Sequence, residues 1–261
     1  RSNMPHVAER ILSDGHADMV SLARPFLADP DWVIKAKQGR EDEINTCIAC
    51  NQACLDHVFK NKRASCLVNP LACYETELTV RPVQRRRKIA VVGAGPAGLA
   101  FATTAAERGH DVVLFEKGDQ IGGQFNMAKV VPGKEEFHET IRYFNTMLDK
   151  HGVDVRLNTE ASVENLNGFD AVIIATGVLP RVVNIPGIDH EKVLSYVEVL
   201  RDNAKVGEKV AIIGTGGIGF DVAEFLLHKT DNPTDSIPAY MAHWGVDMDH
   251  TTPGGLAQPE H

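Results

Sequence analysis

Four cysteines lie close together, at Cys47, Cys50, Cys54 and Cys66, in the pattern C-x2-C-x3-C-x11-C. Thiolates are soft ligands, and four of them at this spacing suit an iron–sulfur cluster or a tetrahedral zinc. The short gaps let one compact loop approach a metal centre from several sides, and Cys66 closes the cage from a later turn. A disulfide framework competes, but no apolar leader opens the chain and only Cys73 is left over. Spacing alone ranks iron–sulfur before zinc and zinc before disulfides, with all three open. Cys73 reads as a half-buried free thiol.

The second chemical feature is a Gly-rich turn in a defined setting. The β-branched run Ile89-Ala-Val-Val92 leads into Gly93-Ala-Gly95-Pro-Ala-Gly98, and a helix follows over 99–108, stopped by Gly109. Asp111-Val-Val-Leu-Phe115 is a second strand, ending in Glu116, 18 residues past Gly98. This is the dinucleotide fingerprint with its βαβ context. Gly93 makes the tight turn, Gly95 admits the pyrophosphate and Gly98 lets helix and strand pack closely. The helix N-terminus favours the phosphate charge, and Glu116 accepts hydrogen bonds from the adenosine ribose.

A Gly pair, Gly122-Gly123-Gln124, follows the second strand, and 169–174 reads as a buried strand ending in Ala175-Thr176-Gly177. The combination resembles the flavoproteins with two dinucleotide-binding domains, in which the first site holds FAD. The fingerprint recurs at Gly214-Thr-Gly216-Gly-Ile-Gly219, after a strand-like run 209–213 and before a helix over 220–227. A polar loop follows His228, with no second strand, so the residue that selects NADH or NADPH is not legible. A short helix is expected over 237–244, then loop.

These motifs need elements to hold them. At the N-terminal end a helix over 7–12, a strand over 17–22 and a helix over 32–38 form one αβα passage, too little for a domain. Arg24, just past that strand, has the placement of a barrel loop that binds phosphate, although on pattern alone a surface or ion-pair role ranks first. The run Arg85-Arg-Arg-Lys88 reads as a solvated linker. With 43% hydrophobic and 24% charged residues the chain is globular rather than disordered. A formal charge of -8 weighs against a nucleic-acid partner, and no apolar run is long enough to span a bilayer. A cytoplasmic location is expected.

The stretches Ala17-Asp-Met-Val-Ser-Leu-Ala-Arg-Pro-Phe-Leu-Ala-Asp-Pro30, Cys47-Ile-Ala-Cys-Asn-Gln-Ala-Cys-Leu-Asp56 and Val91-Val-Gly-Ala-Gly-Pro-Ala-Gly-Leu-Ala100 bring a family into view. They closely resemble the bacterial NADPH-dependent 2,4-dienoyl-CoA reductases. These belong to the old-yellow-enzyme-like iron–sulfur flavoproteins, with trimethylamine dehydrogenase and 2-enoate reductase. The tail is similar too, at Pro132-Gly-Lys-Glu-Glu-Phe137, Val193-Leu-Ser-Tyr196 and His243-Trp-Gly-Val246.

The resemblance implies an α/β chain in four parts. These are the end of an FMN-binding TIM barrel (1–45), an iron–sulfur segment (46–82), the first part of a Rossmann-like FAD domain (83–205) and the start of an NAD(P)H domain (206–261). It implies a [4Fe–4S] cluster on Cys47, Cys50, Cys54 and Cys66. FAD falls on Gly93, Gly95, Ala97, Gly98, Glu116, Lys117, Gly123 and Gln124. FMN falls on Arg1, Ala23 and Arg24, and NADPH on Gly214, Gly216 and Gly219. The implied activity passes electrons from NADPH through FAD, the cluster and FMN to an unsaturated acyl-CoA, in fatty acid β-oxidation. The resemblance covers only the middle of a full-length member. The catalytic barrel residues fall outside the chain, which alone is expected to be inactive. An FAD/iron–sulfur electron-transfer module, a related reductase acting on another enone or amine, and a zinc-stapled nucleotide-binding module stay open.

Overall fold

The computed structural model describes residues 3–181, 183–228 and 236–257. Arg1 and the polar loop expected over 229–235 lie outside them. The chain divides into two compact units, one of residues 1–129 with 134–193, the other of 130–133 with 194–261.

The first unit is built on a four-stranded parallel sheet in the order β3-β2-β1-β4. Its strands are β1 (Lys88–Val92), β2 (Asp111–Phe115), β3 (Asp154–Arg156) and β4 (Ala171–Ile174). β1 pairs with β2 from Lys88–Asp111 to Val92–Phe115, and with β4 from Ile89–Ala171 to Val92–Ile174. Parallel strands need crossovers. Helix α5 (Pro96–Glu107) makes the first, and α7 (Phe137–Lys150) lies between β2 and β3. The alternation of each strand sorts side chains to two faces. Ile89, Val91, Val112 and Leu114 meet Leu99, Ala102 and Ala105 of α5 and Leu148 of α7. Ala90, Val113 and Phe115 turn the other way, under Leu166 and Phe169.

Helix α5 forms for local reasons. Pro96 stands in its first turn, Ala dominates its length, and Gly109, in the left-handed region, follows its C-cap. Ahead of the sheet lie α1 (Pro5–Ser13), α2 (Arg24–Ala28) and α3 (Trp32–Lys37). They enclose a small core of Ala8, Trp32 and Ile44.

Three expected strands come out differently. Residues 17–22 are not a strand. Val20 and Leu22 pack beside Trp32 and Ile44, but among the described residues no neighbouring strand runs beside them, and a strand exists only through its partner. The run 209–213 in the second unit is likewise not a strand and has no paired neighbour among the described residues, and Ile213 is 81% exposed. The strand read as buried over 169–174 is a paired edge strand, β4, with Ile174 68% exposed. It pairs on one side only, and one of its faces has no cover among the described residues.

The second unit carries α8 (Tyr196–Leu200), α9 (Gly217–Leu227) and α10 (Ile237–His243). Ser195 and Glu198 form a reciprocal capping box at the start of α8, which packs on α9. Among the described residues, no helix is long and apolar enough to cross a membrane.

Candidate functional site

The Gly-rich turn leaves β1 at the carboxyl end of the sheet, where β1 stands between β2 and β4. In doubly wound sheets this switch point is where ligands bind. Gly93 has φ +102°, and a Cβ there would lie 2.4 Å from the Ala175 carbonyl oxygen. A Cβ on Gly98 would lie 1.9 Å from the Gly93 carbonyl oxygen. Those two glycines are required by the protein's own packing. Gly95 differs, since a Cβ there meets nothing within 4 Å. Nothing in the polypeptide fills the space beside it, which leaves room for a ligand to approach the backbone. Gly122 donates to the Ala94 carbonyl at 2.7 Å, and this carries Gly123 against Gly95. The turn after β4 joins the same site, with the Gln124 side chain donating to the Val178 carbonyl.

Glu116 does more than its motif implies. Its two carboxylate oxygens accept from the Ala94 and Gly118 amides, each at 2.8 Å. It therefore ties the Gly-rich turn to the end of β2. Lys117 and Ala97 are exposed at the rim. The chain's own groups fit a dinucleotide: an open glycine, a helix N-terminus and an acid held in place.

The second fingerprint repeats the local geometry. Gly95 and Gly216 cap their helices with φ/ψ of -74°/176° and -81°/177°. A Cβ on Gly219 would lie 2.4 Å from the Gly214 carbonyl oxygen, as Gly98 does against Gly93. Gly214 and Gly216 face open space. The turn and helix form although the run 209–213 before them is not a strand.

Cys47, Cys50, Cys54 and Cys66 line one pocket, together with Arg24, Leu27, Ile48, Asn51 and Val68. The pocket contains about 320 Å³ of space, part of it open to solvent. All four are half-buried free thiols. Cys73 is not among the lining residues. Ala49 and Asn51 take left-handed φ of 56° and 59°, which folds the short loop around the pocket. The Ala49 amide donates to the Cys47 Sγ at 3.4 Å. Burial pushes the Cys66 thiol up, and hydrogen bonds from the Val68 and Asn69 backbone oppose this. Backbone amides aimed at sulfur are what a bound thiolate needs.

A single tetrahedral zinc, with Zn–S near 2.3 Å, holds its sulfurs within about 4 Å of one another. Among the described residues no group of three or more His, Cys, Asp or Glu is placed to hold a metal ion. Four thiols on one pocket are the soft donor set that an iron–sulfur cluster or a zinc takes.

Three residues of this region escaped the sequence reading. Asn51, between two of the cysteines, accepts from the Arg24 guanidinium. Arg24 thus faces the cysteine pocket, and Ala23 before it is exposed. Asp29, 3% exposed, accepts from Lys35 Nζ at 2.6 Å, the Asn45 amide at 2.8 Å and the Asp31 amide at 3.0 Å. It pins α3 to the segment entering the cysteine loop. The Asp-Pro-Asp sequence at 29–31 carried the signal, an aspartate turn before a helix. Arg142 is the third, on α7, nearly 100 residues away from its partners.

A parallel sheet whose Gly-rich turn shares one compact unit with a thiolate pocket is an arrangement that dinucleotide-binding oxidoreductases use. The chain belongs to the pyridine nucleotide-disulphide oxidoreductase family, whose pattern matches residues 87–234, more than half of its length. Residues 1–43 match the NADH:flavin oxidoreductase / NADH oxidase family.

Among curated proteins it is 41% identical over 242 residues to a metal reductase of Desulforamulus reducens, covering 90% of this chain and 36% of that protein. It is 38% identical to an NADH oxidase of Thermoanaerobacter brockii, covering 94% and 39%. A solved 2-naphthoyl-CoA reductase, in complex with 2-naphthoyl-CoA, superposes with TM-score 0.83 at 39% identity, over 87% of this chain and 35% of that one. The chain thus spans little more than a third of these relatives.

Proposed function

We propose that this chain is the electron-relay portion of an NADPH-dependent reductase that saturates a C=C bond conjugated to a thioester, with 2,4-dienoyl-CoA as substrate. The observation that carries the reading is the placement of all four cysteines and Arg24 around one pocket, within the unit that holds the first Gly-rich turn. When bound, flavins exchange either two electrons or one, and an iron–sulfur cluster carries them singly. In this reading Cys47, Cys50, Cys54 and Cys66 hold the cluster. The turn from Gly93 to Gly98, with Glu116, Gly123 and Gln124, holds FAD. Gly214, Gly216 and Gly219 begin the NADPH site, and Ala23 and Arg24 border FMN. The similarity to a 2-naphthoyl-CoA reductase, and at 35% identity to a cinnamate reductase of Clostridium sporogenes, supports a conjugated carbonyl substrate.

The test is iron, acid-labile sulfide, zinc and flavin per chain after anaerobic purification. About four irons and four sulfides, with bound FAD, are expected. Zinc near one per chain without sulfide overturns the relay. Substrate class is then read from NADPH oxidation by the full-length protein, with 2,4-dienoyl-CoA turning over faster than cinnamate. A second reading, an amine dehydrogenase of the same build, draws on 33% identity to an N,N-dimethylglycine/sarcosine dehydrogenase of Chromohalobacter salexigens. It predicts reduction of the bound flavin by a secondary or tertiary amine in place of NADPH.

Arg24 gives a further expected result. Its guanidinium lines the cysteine pocket, and a nearby positive charge favours the more negative, reduced state of a cluster. Arg24→Ala lowers the cluster's midpoint potential by on the order of tens of millivolts, and Arg24→Lys by less. Spectroelectrochemical titration of the chain reads it, and an unshifted potential in Arg24→Ala rules the effect out.

A further inference from the structure

We propose that Arg142 is a positioning residue that fixes the cysteine loop against the dinucleotide-binding fold. This rests on the cofactor reading above only for its consequence, since the contacts themselves belong to the polypeptide. Arg142 lies midway along α7. Its Nε donates to Glu139 Oε2, one turn earlier on the same helix. One terminal nitrogen donates to the Asp42 carbonyl. The other donates to the Ile44 carbonyl at 2.7 Å and the Thr46 hydroxyl at 3.2 Å. Ile44 and Thr46 are 0% and 1% exposed, and Thr46 immediately precedes Cys47.

Every nitrogen of the guanidinium is therefore used, and three of its acceptors belong to the stem of the cysteine loop. A surface ion pair with Glu139 needs none of them. Two turns further along α7, Lys150 Nζ donates to Glu43 Oε2 at 2.6 Å, so the stem is held at a second point. α7 packs on α5, and α5 begins at the Gly-rich turn. An unbroken line of packed elements thus runs from the dinucleotide turn through α5, α7 and Arg142 to Cys47. A planar fork with fixed donor directions serves divergent carbonyl and hydroxyl acceptors together, which an ammonium cannot do.

Two measurements on the chain test this. Hydrogen exchange is followed at the Asn45, Thr46 and Cys47 amides in Arg142→Ala, Arg142→Lys and Leu148→Val. The last variant trims the buried core of the same helix without touching the stem. Arg142→Ala exchanges at least about tenfold faster there, since charge-assisted bonds are lost. Arg142→Lys falls between it and the parent, and Leu148→Val leaves these amides at the parent rate. In the chain loaded with FAD and cluster, pulsed magnetic resonance gives the distribution of flavin-to-cluster distances. It broadens in Arg142→Ala and stays narrow in Leu148→Val. Unchanged exchange in Arg142→Ala overturns the clamp. Faster exchange with an unbroadened distribution removes its positioning role. A parent chain that binds neither cofactor sinks the relay reading, while the exchange result still decides the clamp.

Discussion

Replacing any one of Cys47, Cys50, Cys54 or Cys66 by serine empties the chain of iron and sulfide, whereas Cys73→Ser retains both. The four share one pocket, and each of them is half-buried there as a free thiol. A serine oxygen is a hard, weakly acidic donor in place of a soft thiolate, so the loss at each position is close to complete. Cys73 is no lining residue of that pocket, and its amide donates to Glu75 Oε1 at 2.9 Å. Its replacement changes nothing the pocket sees. FAD content is expected to stay near the parent value in all five variants, because the Gly-rich turn is held by Glu116, Ala175 and α5 rather than by the cysteine loop. Iron, sulfide and flavin assays on the anaerobically purified variants decide the matter. Full iron in any of the four, or its loss from Cys73→Ser, removes the assignment.

What was legible in the sequence was whatever local chemistry dictates. The unit β1-α5-β2 could be read because apolar alternation, Pro96, Gly109 and the glycine spacing all act within about thirty residues. The cysteine spacing was legible for the same reason. Pairing was not. Residues 17–22 and 209–213 have strand composition, yet among the described residues nothing lies beside them to complete a ladder. Asp154–Arg156, too short and polar to stand out, becomes β3 because β2 offers it an edge. The partners of single side chains were hidden as well. Nothing in the local sequence singles out Arg142, and only the folded chain brings it to Thr46. Arg24 reads from pattern as a surface ion-pair residue and from the family resemblance as an FMN phosphate ligand, and the fold adds Asn51 as its neighbour. Glu116 reads as a ribose acceptor from the motif, whereas its grip on the Ala94 amide is a tertiary fact.

Gly95 and Gly98 stand three residues apart in one motif and are expected to fail in different ways. In Gly98→Ala the new Cβ would lie 1.9 Å from the Gly93 carbonyl oxygen and 3.4 Å from the Ala175 Cβ. Backbone on that side cannot rotate away as a flexible side chain does, so α5 must lift from β1. Leu99 and Ala102, both fully buried, move with it. Overpacking of this kind costs about 1–3 kcal/mol or more, which lowers Tm by roughly 5–10 °C in a unit of this size. FAD affinity falls with it. Gly95→Val meets no protein atom at its Cβ, so the ligand-free chain melts within about 2 °C of the parent, the helix-edge position tolerating the change. Its FAD affinity nonetheless drops at least about tenfold, because the side chain occupies the space through which the pyrophosphate reaches the α5 N-terminus. Calorimetry on the ligand-free chains, with flavin titration beside it, separates the two. If Gly95→Val binds FAD as the parent does, the open space at Gly95 is not the pyrophosphate's place. The first Gly-rich turn would then be a packing device alone.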